Sequence, residues 1–136
     1  MKKITACLNG TLALALSLTP VWAHHSFAGT YKEDAPPQEI RGTLKAFNVR
    51  NPHSFVQVED EKLKEKDGTP VRWVIEWGAA GQLAQQGVNS GSLKIGDTVV
   101  ATGSPGRNPD DHRLRMRSIT RPTDGWKWPV GNQTFN

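Results

Sequence analysis

Cysteine is almost missing from this chain: among its 136 residues it occurs once, as Cys7, close to the start. A disulfide framework needs pairs and a thiolate metal site needs clusters, so both are excluded. A long apolar run is missing too. The most hydrophobic stretch, residues 11–19 (TLALALSLT), falls well short of the ~20 residues that cross a bilayer as a helix. Neither sign of charge dominates: 17 Lys and Arg face 13 Asp and Glu, a formal net charge of +4. A nucleic-acid partner is therefore not expected, because such binders carry a concentrated basic stripe. The nearest approach to one is Arg113, Arg115, Arg117 and Arg121, the first three alternating along one strand face. The simpler reading of that row is a solvated face. A chain this short holds one small domain and cannot house a doubly wound sheet or an eight-fold α/β barrel. The sequence also has no nucleophile elbow, phosphate-binding glycine loop, HExxH or EF-hand loop, so no enzymatic activity is expected from its motifs.

What is present begins with an address. Met1-Lys2-Lys3 is a short basic start, residues 11–19 an apolar core, and Pro20-Val21-Trp22-Ala23 offers small residues at the −3 and −1 sites of a cut after Ala23. Residues 1–23 read as a secretory signal peptide, giving a periplasmic or secreted protein with no stable membrane insertion after cleavage. Cys7 precedes the apolar core, so a lipoprotein reading would leave no targeting segment. Loss of Lys2 and Lys3 from the 17 basic residues, against 13 acidic ones, leaves a net charge of about +2.

Residues 24–38 are polar, contain Pro36-Pro37 and show no periodicity; they read as an extended arm. A domain is expected over residues 39–121. Its first strand is read at 40–49, with Gly42 as a bend or bulge, and its second at 54–58. The mixed-charge run 59–68, containing Glu59, Asp60 and Glu61, reads as a solvated hairpin connection. The strongest strand is 71–77 (VRWVIEW), where Val71, Trp73, Ile75 and Trp77 oppose Arg72, Val74 and Glu76. A helix at 79–86, closed by Gly87, and strands at 98–103 and 114–120 follow, with a Trp-containing tail at 122–136. Three strands, a helix and two strands is the order of a five-stranded Greek-key barrel of the OB type, with the helix between strands three and four. A small open β-sandwich is the competing architecture.

Four histidines follow the expected cut: His24, His25, His53 and His112. A terminal His24 chelates through its α-amine and ring Nδ1, and a second imidazole completes a tetragonal nitrogen set suited to Cu(II). His25, at position two, offers another copper mode through amine, deprotonated amide and ring. The third-position motif is absent because Ser26 stands there. His53 lies between strands one and two and His112 between strands four and five, two loops that flank the usual ligand face of such a barrel. Asp110 and Asp111 adjoin His112 as candidate carboxylates to orient its ring. The plain alternatives are a polar N-terminus, a turn at Asn51-Pro52-His53 and an exposed loop histidine.

Glu76 reads as pointing to water on the polar face of its strand. Trp126 and Trp128 in the tail are candidates for docking another exported protein, the route by which the chain would act without any metal. Core and edge packing is the commoner use of such tryptophans.

Taken together, His24-His25-Ser26-Phe27, Asn51-Pro52-His53, the strand from Trp73 to Gly78 with its helix, and Leu93-Lys94-x-Gly96-Asp97-x-Val99 resemble an exported bacterial family, domain-of-unknown-function family 6152. Arg117-Ser118 fits its last strand, and the likeness runs over residues 24–120. The resemblance implies export and one small domain, draws interest to His24, His25 and His53, and supplies no reaction. Ser54-Phe55 and Trp77 depart from the family pattern, and His112 matches none of its motifs.

Overall fold

The alternation in residues 71–77 decides the architecture, because a strand with one wholly apolar face must bury that face against other strands. In the computed structural model, which describes residues 27–130, Val71, Trp73, Ile75 and Trp77 are all buried. Residues 1–23, His24 and His25 lie outside the described residues.

The elements run α1 (Phe27–Thr30), β1 (Gln38–Asn48), β2 (Phe55–Lys64), β3 (Pro70–Glu76), α2 (Ala80–Gln85), β4 (Thr98–Pro105), a 3-10 turn (Pro109–Asp111), β5 (Arg113–Arg121) and β6 (Trp126–Trp128). The strands pair in the order β3-β2-β1-β4-β5-β6, and β3 also pairs with β5. That last pairing is parallel and closes the first five strands on themselves. The protein is a mainly β, five-stranded barrel of the OB type with α2 between β3 and β4. Closure is what separates it from an open sandwich.

The long β1 serves both halves of the barrel, pairing with β2 on one side and β4 on the other. Gly42 sits where the two pairings overlap, and a Cβ there would stand 1.9 Å from the Glu59 carbonyl oxygen. Gly42 thus marks a close backbone approach; the register shift of β1 lies between Leu44 and Ala46. Ile40, Leu44, Val56, Val58, Ile75, Val99, Ala101, Leu114 and Ile119 fill the interior, with Leu83 of α2 joining them.

Three segments depart from the sequence reading. β2 runs on to Lys64, and Asp60, expected in a solvated loop, is buried: its Oδ2 accepts from Trp73 Nε1 at 3.1 Å and its Oδ1 from the Lys62 and Leu63 amides. A buried carboxylate is tolerable when it gathers several donors, and this one gathers three. The segment expected as a tail supplies β6, paired antiparallel with β5. The arm is also docked. Its Tyr31 bridges to Gly106 and is fully buried, and the Lys32 amide donates to the Pro105 carbonyl at 2.9 Å.

Two members of the arginine row, Arg115 and Arg117, hold that docked arm, so the row is more than a solvated face. Arg115 Nη1 donates to Glu33 Oε2 at 2.5 Å while its guanidinium lies 4.0 Å from the Phe27 ring centroid. Arg117 donates to the Glu33 carbonyl and, through Nε, to Ser104 Oγ at 2.9 Å. Arg121 is held between Asp97 and Asp124, each at 2.8 Å.

Candidate functional site

The loop between β1 and β2 carries the Asn51-Pro52-His53-Ser54 run and is tied down at several points. Ser54 is fully buried; its Oγ accepts from the Arg50 amide at 3.1 Å, and its amide donates to the Gly78 carbonyl at 3.0 Å. Asn51 Oδ1 accepts from the Ala80 amide at 3.1 Å, which pins the loop to the start of α2. A loop so anchored holds His53 in place at the lip of the barrel.

From there the outer face of the sheet can be built from its register. Phe55 pairs with Glu76 across β2 and β3, and Gln57 with Val74. Glu76 and Val74 in turn pair with Arg115 and Arg113 of β5. Alternation sends these side chains outward while Val56, Ile75 and Leu114 point in. Two parallel rows result: Phe55, Glu76, Arg115 and Gln57, Val74, Arg113. His53 stands over the first row with Nδ1 in contact with Glu76 Oε1.

Glu76 does not point freely to water as the sequence reading had it. Its side chain is 17% exposed, and its second oxygen accepts from the Tyr31 hydroxyl at 2.5 Å. Arg113 Nη2 stands 3.7 Å from that same Oε2. Burial is the main force on the Tyr31 phenol and pushes its pKa well above the ordinary value. The hydrogen bond to Glu76 and its charge push the same way, and Arg113 opposes them. Phe27 stacks on the other side of the assembly, its ring centroid 5.0 Å from that of His53 at an interplanar angle of 27°. The result is a carboxylate-oriented imidazole: Glu76 engages Nδ1, which leaves Nε2 as the nitrogen open to a ligand.

Beside this group lies an open cleft of about 360 Å³, walled by Arg50, His53 and Phe55, floored by Gln57 and Val74, and closed by Glu76 and Arg113. The Arg50 guanidinium lies 4.8 Å from the Phe55 ring centroid. The β2–β3 face and the β1–β2 loop correspond to the usual ligand face of an OB barrel.

The other sequence candidates fall elsewhere. His112 is not brought into the His53 group: its ring meets the edge of Trp73 at 5.1 Å, and its Nδ1 is 3.8 Å from Glu65 Oε1. It adopts a left-handed backbone at the end of the 3-10 turn. Asp110 and Asp111 do not orient its ring. The Asp110 amide and the Asp111 carboxylate both serve Asn108 instead, which keeps the turn closed. Trp128 is buried against Trp77, with ring centroids 4.8 Å apart, and its Nε1 donates to Gln86 Oε1 at 2.8 Å. A side chain so placed is part of the core and not a free docking surface. Trp126 is half-buried, with Arg121 over its ring at 5.7 Å. Among the described residues no group of three or more His, Cys, Asp or Glu is arranged to hold a metal ion, so His53 and Glu76 have no third donor there. Nor is any helix among them long and apolar enough to cross a membrane.

Tyr31 and Arg50 escaped the sequence reading, and Arg113 entered it only as part of a row read as a solvated face. Tyr31 lies in a polar segment without periodicity, and 45 positions separate it from Glu76. Only the Phe27 of the HHSF run carried a signal.

The strand order and the anchored β1–β2 loop define the class: a single OB-type barrel carrying a histidine–carboxylate group beside a cleft on its outer face. The chain belongs to the family of unknown function DUF6152, whose profile matches residues 13–115. No curated protein matches it. Among solved structures it is similar to the mitochondrial single-stranded DNA-binding protein Rim1 from S. cerevisiae, with 14% identity, a TM-score of 0.46, and coverage of 62% of this chain and 91% of that one. So distant a likeness carries no argument, and the fold assignment rests on the strand order.

Proposed function

We propose that this protein is exported, is cut after Ala23, and serves as a non-enzymatic copper-binding accessory domain using the new N-terminal His24, or His25, together with His53. The supporting observation is the stacking of Phe27 on His53. Chain geometry keeps the Cα atoms of His25 and His24 within about 7 and about 10 Å of that of Phe27. Connectivity therefore allows the N-terminal imidazoles to reach a ring whose Nδ1 is already engaged by Glu76. A terminal amine, its own imidazole and His53 Nε2 make the tetragonal nitrogen set that Cu(II) prefers.

The test is a Cu(II) titration of chain beginning at His24, read by calorimetry and EPR. One saturable equivalent with a nitrogen-rich tetragonal spectrum is expected. It should be lost when a residue precedes His24, weakened in His53→Ala and untouched in His112→Ala. Stoichiometric copper retained by the blocked chain would sink the terminal-histidine site.

A further inference from the structure

The cleft beside His53 has a chemistry of its own that the copper reading does not use. Its cation, Arg113, is the first residue of β5 and has no carboxylate within hydrogen-bond distance among the described residues. The nearest, Glu76, is 3.7 Å away and already engaged at one oxygen by the Tyr31 hydroxyl and at the other by His53. The Nε of Arg113 is enclosed and has no acceptor among the described residues. A guanidinium is a fork of five donors that fits a planar oxyanion with two parallel hydrogen bonds. The enclosed Nε faces away from solvent, but the side chain as a whole is 42% exposed, so the outer end of the fork is what an acceptor from outside can reach.

The lining of the cleft adds a second cation. Arg50 is exposed, lies over the Phe55 ring, and donates its guanidinium to no acid among the described residues. The same cleft is lined by Val74, which pairs with Arg113 on one side and with Gln57 on the other, and by the half-buried Phe55. Two arginines stand against one carboxylate, Glu76, whose oxygens are already engaged by Tyr31 and His53. The cleft is thus net positive beside an apolar floor, which selects an anion with an apolar body. A bare inorganic ion would leave Val74 and Phe55 uncovered, and an uncharged apolar molecule would leave the Arg113 fork unsatisfied. The volume, about 360 Å³, suits a small organic molecule and is at the low end for such sites.

We infer that this cleft is a binding site for a small organic carboxylate, whose oxyanion lies against Arg113 and Arg50 and whose apolar part covers Val74 and Phe55. The site needs neither metal nor the N-terminal histidines, so it stands or falls apart from the copper reading.

The experiment is a metal-free NMR titration of isotope-labelled protein with three probes: benzoate, benzamide and acetate. Benzamide keeps the ring without the charge, and acetate keeps the charge without the ring. Benzoate is expected to bind at least tenfold more tightly than either, with saturable shifts concentrated at Phe55, Val74 and Arg113. Arg113→Gln should weaken benzoate at least tenfold and bring it level with benzamide. Arg50→Gln is the second variant, because an exposed loop arginine can be replaced without threatening the fold; a severalfold loss is expected there. Equal binding of benzoate and benzamide, shifts scattered away from the cleft, or unchanged affinity in Arg50→Gln would each overturn the assignment.

Discussion

Tyr31 is the residue on which the outer-face group closes, and it is also the chain's single tyrosine. Its hydroxyl is buried and donates to Glu76, so its phenolate would have to form in a low-dielectric site beside a carboxylate. The folded-state pKa is raised, so the sign of the linkage is fixed. The stabilising contribution is fully present below the unfolded value near 10 and is lost as pH rises beyond it. Phenolate absorbance should therefore stay silent in the folded protein at pH values where a free tyrosine is half ionised, and should emerge together with unfolding. Because no other tyrosine contributes, a spectrophotometric pH titration reads this one group. A free-tyrosine titration curve in the folded protein would refute the buried Tyr31–Glu76 contact. At this scale the sequence was only partly readable. His53 could be picked out because an imidazole beside Asn51-Pro52 is conspicuous. Glu76 was assigned correctly to the outer face, yet alternation cannot say whether an outward carboxylate meets water or a segment laid across it. The segment that covers it begins 45 positions earlier at Tyr31.

Among the elements, β1 is under the tightest constraint, because one strand serves two sets of partners. At Gly42 the β2 backbone comes so near that an added methyl would overlap the Glu59 carbonyl oxygen, and backbone atoms cannot move aside as a flexible side chain can. Gly42→Ala should therefore cost about 3 kcal/mol or more, a large share of the roughly 5–15 kcal/mol that holds a domain of this size. Urea denaturation compares the two proteins directly; a loss below about 1 kcal/mol would show that β1 and β2 part easily at this point. The strands were legible because inward residues alternate with outward ones over β1 to β3. The extension of β2 to Lys64 and the existence of β6 were not. In β2 the buried position is taken by Asp60, whose polarity breaks the apolar pattern even though its oxygens are satisfied. In β6 only three residues pair, too few for any period to show.

For the molecule as a whole, the proposed copper site differs from a copper-binding N-terminus because it spans two parts of the chain. An amine, an amide and a neighbouring imidazole bind copper equally well in a folded or an unfolded chain, and such a site leaves stability unchanged. A site shared between the arm and His53 exists only when the arm is docked on the barrel. Copper at a hundredfold excess over its Kd should then raise the unfolding free energy by about 2.7 kcal/mol. The increment should vanish in His53→Ala. Denaturation of the His24-started chain with and without Cu(II) measures it, and binding without stabilisation would mean that His53 is no ligand.

Periodicity and punctuation were enough to determine the mainly β class, the order of strands along the chain and the place of the helix, because these follow from local alternation and from the chain's need to bury one face of each strand. The β3–β5 pairing that makes a barrel and not an open sandwich came from tertiary structure. The family followed from the order of short motifs along the chain. Tertiary structure alone decided the rest. It turned the polar arm into a docked segment, made Arg115 and Arg117 of the arginine row its anchorage, placed Trp128 in the core, and separated His112 from His53. Each of these depends on partners tens of residues apart, and a contact between distant positions is a property of how the barrel closes, which no local pattern records.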